Sequence, residues 1–158
     1  MATLVSKLPA FATALAAALA ARTNLATPPG GLPAVQVSSG ALAPDDTAAE
    51  AIFLLDAEGD GDWARVKAAP GGRQEERAMA HAAVWTTRPG GGEPVIVAAR
   101  NRVFAIADEI ADALDTDPTV AATVRNAHIA RWEYKQGVMA EVGRWAQLKL
   151  IIDYAARL

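Results

Sequence analysis

The segment whose residue types and spacing come nearest to a chemical site is Asp56-Ala57-Glu58-Gly59-Asp60-Gly61-Asp62. Oxygen-bearing side chains at the first, third, fifth and seventh positions, with glycine at the sixth, match the opening of a calcium-binding EF-hand loop, where glycine permits the sharp bend. The closing bidentate Glu of such a loop falls at residue 67, which is Lys67. The flanking residues read as strands and not as helices, so a solvated hairpin turn is the expected structure and calcium the alternative.

Two histidines, His81 and His128, are the other metal-ligand candidates. Both fall in segments that read as strands, so a sheet could bring them together. Nothing in the sequence identifies a third ligand, and packing on a sheet face or at a subunit contact is the plainer role.

Nucleophilic and phosphate chemistry find little support. The chain has no cysteine, which excludes a thiolate nucleophile, a disulfide framework and cysteine-based metal sites. Ser6, Ser38 and Ser39 lack a Gly-x-Ser-x-Gly context, and no Gly-x-x-x-x-Gly-Lys loop occurs. Gly90-Gly91-Gly92, between Pro89 and Pro94, reads as a flexible loop. Asp45/Asp46 and Glu75/Glu76 are adjacent carboxylates, and neighbours on a strand point to opposite faces. No catalytic, cofactor-binding or metal-ligating residue is assigned, and no cofactor is expected.

Trp63, Trp85, Trp132 and Trp145 suit either a sheet face or a subunit contact, where a large amphipathic ring covers much area. Arg73/Arg77 and Arg100/Arg102 read as solvated faces, or as partners for an acidic turn of a neighbouring subunit.

Composition bounds the elements that must carry these groups. The 158 residues suit one domain, spanning 1–158. Alanine contributes 38 residues, while Leu, Ile, Val and Phe together give 35. The core must therefore be thin, and neighbouring subunits could complete it. A net charge of -3 with 15 basic residues argues against a dedicated nucleic-acid binder.

The first 25 residues resemble a secretory signal, with Lys7 ahead of an Ala/Leu-rich run. However, Leu4, Leu8, Phe11, Leu15 and Leu19 step by three or four, which places them on one helical face. An amphipathic helix from about Thr3 to Arg22 is the better reading. The run is too short and too weakly apolar to span a bilayer, so no membrane association is expected.

Thr27-Pro28-Pro29-Gly30-Gly31 ends that helix. Short strands follow at Ala34–Ser38 and Glu50–Asp56, with a loop at Gly40–Asp46 between them. Trp63–Ala68 reads as a returning hairpin arm. Arg73–Thr87 is expected to be a strand with Met79, His81, Ala83 and Trp85 on one face. Pro94–Leu114 carries Ile96, Ala99, Val103, Ile106, Ile110 and Ala113 at helical spacing and stops at Asp115-Thr116-Asp117-Pro118.

A large hairpin closes the chain. Val124–Gln136 alternates, with His128, Ala130, Trp132 and Tyr134 on one face. Gly137–Gly143 forms the turn region. Ala146, Leu148, Leu150, Ile152, Tyr154 and Ala156 repeat with a period of two. The expected fold is α+β in two layers: an antiparallel or mixed sheet, covered by an N-terminal and a central helix and closing with a C-terminal β-hairpin.

This layout resembles the tail terminator (tail completion, minor tail protein U-like) proteins of long-tailed phages and gene transfer agents. The residues that carry the likeness run through the whole chain. They are the Ala/Leu-rich opening helix from Leu4 to Leu19, Val35-Gln36-Val37, the Glu-led apolar strand Glu50–Leu55, and Gly72-Arg73-Gln74-Glu75-Glu76 opening a long strand. They continue through the helix Arg102–Leu114 with Asp115-x-Asp117-Pro118-Thr119-Val120, then Val124-Arg125-Asn126-Ala127-His128, and Gly143-Arg144 leading into Leu148–Arg157.

The resemblance implies a non-enzymatic structural protein of the virion, present in the host cytoplasm during assembly. It implies a homo-hexameric ring that caps the tail tube, stops its polymerisation and meets the head-completion or stopper protein, while genome DNA passes through the lumen without specific binding. A different head–tail joining protein, a stopper or adaptor, is the first alternative. A non-phage α+β binding module, with Asp56–Asp62 holding calcium, is the second.

Overall fold

Five strands form a single mixed sheet in the order β1-β2-β3-β5-β4. They are β1 (Gln36–Ser38), β2 (Glu50–Glu58), β3 (Glu75–Arg88), β4 (Asn126–Met139) and β5 (Gly143–Arg157). The helices are α1 (Leu8–Ala20), α2 (Thr23–Ala26) and α3 (Glu93–Thr116). The computed structural model describes residues 6–40, 49–58, 75–140 and 143–157. The expected hairpin arm at Trp63–Ala68, the loop at residues 41–46 and the tip of the acidic turn at residues 59–62 lie outside the described residues.

The expected α+β arrangement is present. β1 is parallel to β2, and every other neighbouring pair is antiparallel. β3 and β4 therefore run parallel to each other, and parallel strands require a crossover. α3 supplies it, passing over one face of the sheet and leaving the slot that β5 fills.

β5, the longest strand, lies between the central β3 and the edge strand β4. Ala146, Leu148, Leu150, Ile152, Tyr154 and Ala156 are all buried on its helix-covered face, as the strict period of two requires. Phe11, Leu15 and Leu19 of α1 and Ala99, Val103, Ile106, Ile110 and Leu114 of α3 close over them. Each fully buried Leu, Ile or Phe contributes roughly 1.5–3 kcal/mol, so this face accounts for most of the apolar stabilisation.

α1 ends two residues before the expected Arg22, and residues 3–5 of the expected helix lie outside the described residues. Pro9 sits in its first turn, where a missing N–H costs nothing, and the helix ends at Ala20. Arg22 is extended and begins the separate one-turn α2. Arg22 and Asn24 then hydrogen-bond Glu109 on α3 at 2.5 and 2.7 Å, which fastens α2 to the central helix. Burial pushes the Glu109 carboxyl upward, but the bonds from Asn24 and Arg22 outweigh it and leave its pKa below the ordinary 4.5.

Two strand expectations are corrected. The alternation His128, Ala130, Trp132, Tyr134 does not hold, because the register slips between Ile129 and Arg131. Ala130 is the extra residue of a β-bulge, and a one-residue insertion moves everything beyond it to the other face. Ala127, Ile129, Trp132 and Tyr134 oppose Tyr154, Ile152, Leu150 and Leu148 on the helix side, whereas His128 opposes Asp153 on the other face. Likewise, Gly137 does not open the turn: β4 continues to Met139, with Gly137 opposite Trp145.

The segment after α3 is held in an uncommon conformation. Val120, Ala121 and Ala122 all have positive φ, at 46, 53 and 60°. The Asp117 carboxylate accepts hydrogen bonds from the Thr119 hydroxyl at 2.6 Å, the Ala121 N–H at 2.7 Å and the Thr119 N–H at 3.0 Å. These bonds stabilise its ionised form and lower its pKa.

Candidate functional site

Of the paired carboxylates, Asp45 and Asp46 lie outside the described residues, while Glu75 and Glu76 are put to structural use, as is Glu50, which sequence reasoning did not single out. Glu50, at the start of β2, has no solvent exposure. Arg102 of α3 donates two hydrogen bonds to its Oε2, and Arg88 at the end of β3 donates to its Oε1. A carboxylate this deeply buried must be paired. Arg102 is therefore no solvated surface residue. It ties the crossover helix to the β2–β3 corner.

Glu75 and Glu76 point to opposite faces, as adjacent strand residues must. Glu75 pairs with Arg125. Glu76 turns inward and anchors the start of α1: it accepts from the Ser6 hydroxyl and the Lys7 N–H, both at 2.7 Å, and from the Tyr154 hydroxyl at 2.9 Å. A carboxylate at this end complements the helix dipole. Tyr154 also stacks on Phe11, with centroids 4.9 Å apart. Burial first, and then the bond to Glu76, hold its phenol well above the ordinary 10.0.

No described helix covers the other sheet face, although His81 and Ala83 on it are buried. By register it carries Met79, His81, Ala83 and Trp85 of β3, together with Gln147, Lys149, Ile151 and Asp153 of β5 and His128, Arg131, Glu133 and Lys135 of β4. The face expected for Met79, His81, Ala83 and Trp85 is the one observed. Trp85 stacks on Trp145 at 5.1 Å and 15°. The Trp145 indole lies so close over Gly137 that a Cβ there would sit 2.7 Å from the ring, which is why glycine occupies this strand interior.

His81 and His128 share this face but not a site. β5 stands between their strands, and their partners on it, Ile151 and Asp153, are two residues apart. Among the described residues no group of three His, Cys, Asp or Glu could hold a metal ion. A shallow hollow of about 330 Å³ lies at the Asp153 end, lined by Arg77, Met79, Asn126 and His128 among others. Asp153 Oδ1 is covered there and has no hydrogen-bond partner among the described residues. The acidic-turn motif contributes Asp56 and Glu58 to the backbone of β2. Its remaining members, like Trp63 and Arg73, are outside the described residues.

Among the described residues the outer edge of β4 is also without a strand partner. Trp132 is 58% exposed, and Val138 and Met139 are exposed as well. Trp132 makes an edge-on contact with Phe104 of α3, and Tyr134 packs against the same ring. Periodicity missed this edge character, because only the strand order leaves β4 outermost.

These elements define an α+β domain with a one-sided two-layer core and no assembled catalytic constellation among the described residues. Comparison with known proteins gives no family-model match and no match among curated proteins. No described helix is long and apolar enough to cross a membrane.

Proposed function

We propose that this chain is a structural subunit of the tail terminator kind. It assembles into a homo-hexameric ring on the end of a phage-like tail tube, stops further addition of tube protein, and offers its other side to a head-completion or stopper protein. Genome DNA passes through the lumen without specific binding. Its place is the tail–head junction of the virion, reached from the host cytoplasm, with no membrane or cofactor involved and no reaction catalysed.

The observation that carries this reading is the one-sidedness of the domain. The described helices all cover one sheet face, and among the described residues no helix covers the opposite face, with its Trp85–Trp145 stack, and no strand pairs with the outer side of β4. Surfaces left without a partner by the described elements suit an assembly subunit. The alanine-rich core and the sequence layout point the same way. A net charge of -3 suits a conduit, because a basic lumen would grip phosphates.

The mechanism is geometric. One side of the ring matches the growing tube end, and the other side lacks the surface that the next tube ring requires. Binding then removes the growing end without breaking a bond. Negative-stain imaging of the purified protein, alone and with tube protein, should show a six-membered ring with a central hole. Tube polymerisation with excess protein should give shorter tubes. Unchanged tube lengths would overturn the reading, and co-purification with capsid portals instead of tubes would move it to the stopper or adaptor class.

A further inference from the structure

The β4 edge facing away from β5 has no strand partner among the described residues. Trp132, Val138 and Met139, the exposed large hydrophobics of the described surface, all lie on this strand. An edge with free N–H and C=O groups and apolar side chains is a template for another strand. We propose that two copies of this chain pair their β4 strands antiparallel about a two-fold axis at Tyr134, so that one sheet runs through both subunits.

The charge pattern selects that centre. In an antiparallel pair, residues directly opposite share a face, so a two-fold pairing is defined by the residue that meets its own copy. On the face away from the helices β4 presents Arg131, Glu133 and Lys135 in alternating sign. Centring on Glu133 sets Glu133 against itself and Arg131 against Lys135, and like charges directly opposite are destabilising. Centring on Lys135 sets Lys135 against itself. Centring on Trp132 brings Arg131 opposite Glu133, but only residues 131–133 then stay clear of the Ala130 bulge in both copies.

Centring on Tyr134 satisfies both constraints. Glu133 of each copy meets Lys135 of the other, and residues 131–137 pair without reaching a bulge. Arg131 then faces Gly137, over which the Trp145 indole lies, a π surface suited to a guanidinium. On the helix side Tyr134 meets its own copy and Trp132 lies opposite Gln136. This contact is self-complementary. It is therefore separate from the head-to-tail contacts of a ring and stands without them.

The absence of cysteine makes the register directly readable in the full chain. Mild oxidation of Tyr134→Cys should give a cross-linked dimer, whereas Glu133→Cys and Lys135→Cys should not, because opposed Cα atoms fall within disulfide range only at the self-facing position. In sedimentation or native mass measurements the unaltered chain should dimerise. Lys135→Glu, whose cross-strand partner is the neutral Gln147 and which also gives up an exposed 3.1 Å ion pair with Glu133 of its own strand, should weaken the dimer about ten-fold. Glu133→Lys with Lys135→Glu should restore it when Lys149, which lies opposite residue 133 within the same sheet, is changed to Glu as well, and a thermal melt of each variant checks that it is folded.

Cross-linking at 135 and not at 134, a dimer indifferent to Lys135→Glu, or a chain that stays monomeric at every concentration would overturn the proposal. A hexameric ring without a 134 cross-link overturns this inference and leaves the terminator reading standing. A 134-linked dimer that neither forms rings nor shortens tubes does the reverse.

Discussion

Glu50 and Arg102 are joined by two hydrogen bonds, from Nε at 2.9 Å and Nη2 at 2.7 Å, both to Oε2 of a carboxylate with no solvent exposure. Arg88 takes the other oxygen. The three residues come from β2, β3 and α3, so the cluster fixes where the crossover helix meets the sheet. Replacing Glu50 by Ala leaves two largely buried guanidinium groups unpaired, which should cost about 3–5 kcal/mol. Urea unfolding measures this. A loss under about 1 kcal/mol would mean that the three groups are solvated.

Gly137→Ala should dislodge the Trp145 indole, because the new Cβ would stand 2.7 Å from three of its ring atoms. The Trp85–Trp145 stack should open, seen as loss of the coupled tryptophan signal in near-ultraviolet circular dichroism. Overpacking of this type costs about 1–3 kcal/mol. Gly143→Ala should cost more, since its Cβ meets the Arg88 carbonyl oxygen at 2.3 Å with φ at +109°, and a backbone atom cannot swing aside.

Ala122→Gly should stabilise the protein by about 0.5–1 kcal/mol, because glycine removes the Cβ clash of the left-handed region at some cost in unfolded-chain entropy. Ala122 has φ at 60° and is exposed, so nothing packed is lost. Val120→Gly, by contrast, should destabilise, since Val120 is buried. The midpoint of chemical unfolding distinguishes the two.

Acid should weaken the attachment of α2 to α3. The folded pKa of Glu109 lies below its ordinary 4.5. Its contribution to stability is therefore present above 4.5 and is lost as pH falls through the lowered folded value. Glu109→Gln should flatten that part of the stability profile while leaving the neutral-pH fold intact. An unchanged acid limb would show that the carboxylate gains nothing from Arg22 and Asn24.

Alkali acts through Tyr154. Its folded pKa is raised above 10.0, so its contribution is complete below about 10 and is lost as pH rises toward the folded value. Tyr154→Phe keeps the Phe11 stack and lacks the titrating hydroxyl. Its stability should fall less steeply above pH 10.0, with a lower starting value because Glu76 loses a donor. Thermal melts of both proteins across that range test this.

The helix-covered half of the molecule was legible in the residues. The period of two in β5 and the helical spacing in α1 and α3 report burial directly, since a side chain's face follows from backbone geometry alone. The opposed directions of Glu75 and Glu76 follow from the same rule. The bulge at Ala130 was not legible: one inserted residue looks like ordinary alternation until the partner strand is known. Nor was the strand interior at Gly137, which depends on an indole from β5 lying over it.

Sequence by itself determined the α+β class, the one-sided amphipathic elements and the lack of cysteine chemistry, because composition and periodicity are local properties. Only the tertiary structure decided that Glu50 gathers Arg88 and Arg102, that His81 and His128 are held apart by β5, and that β4 is left at the edge. Strand order depends on which segments meet across long stretches of chain. It is set by the crossover of α3 and the packing of both helices, and no residue pattern within a single strand encodes it.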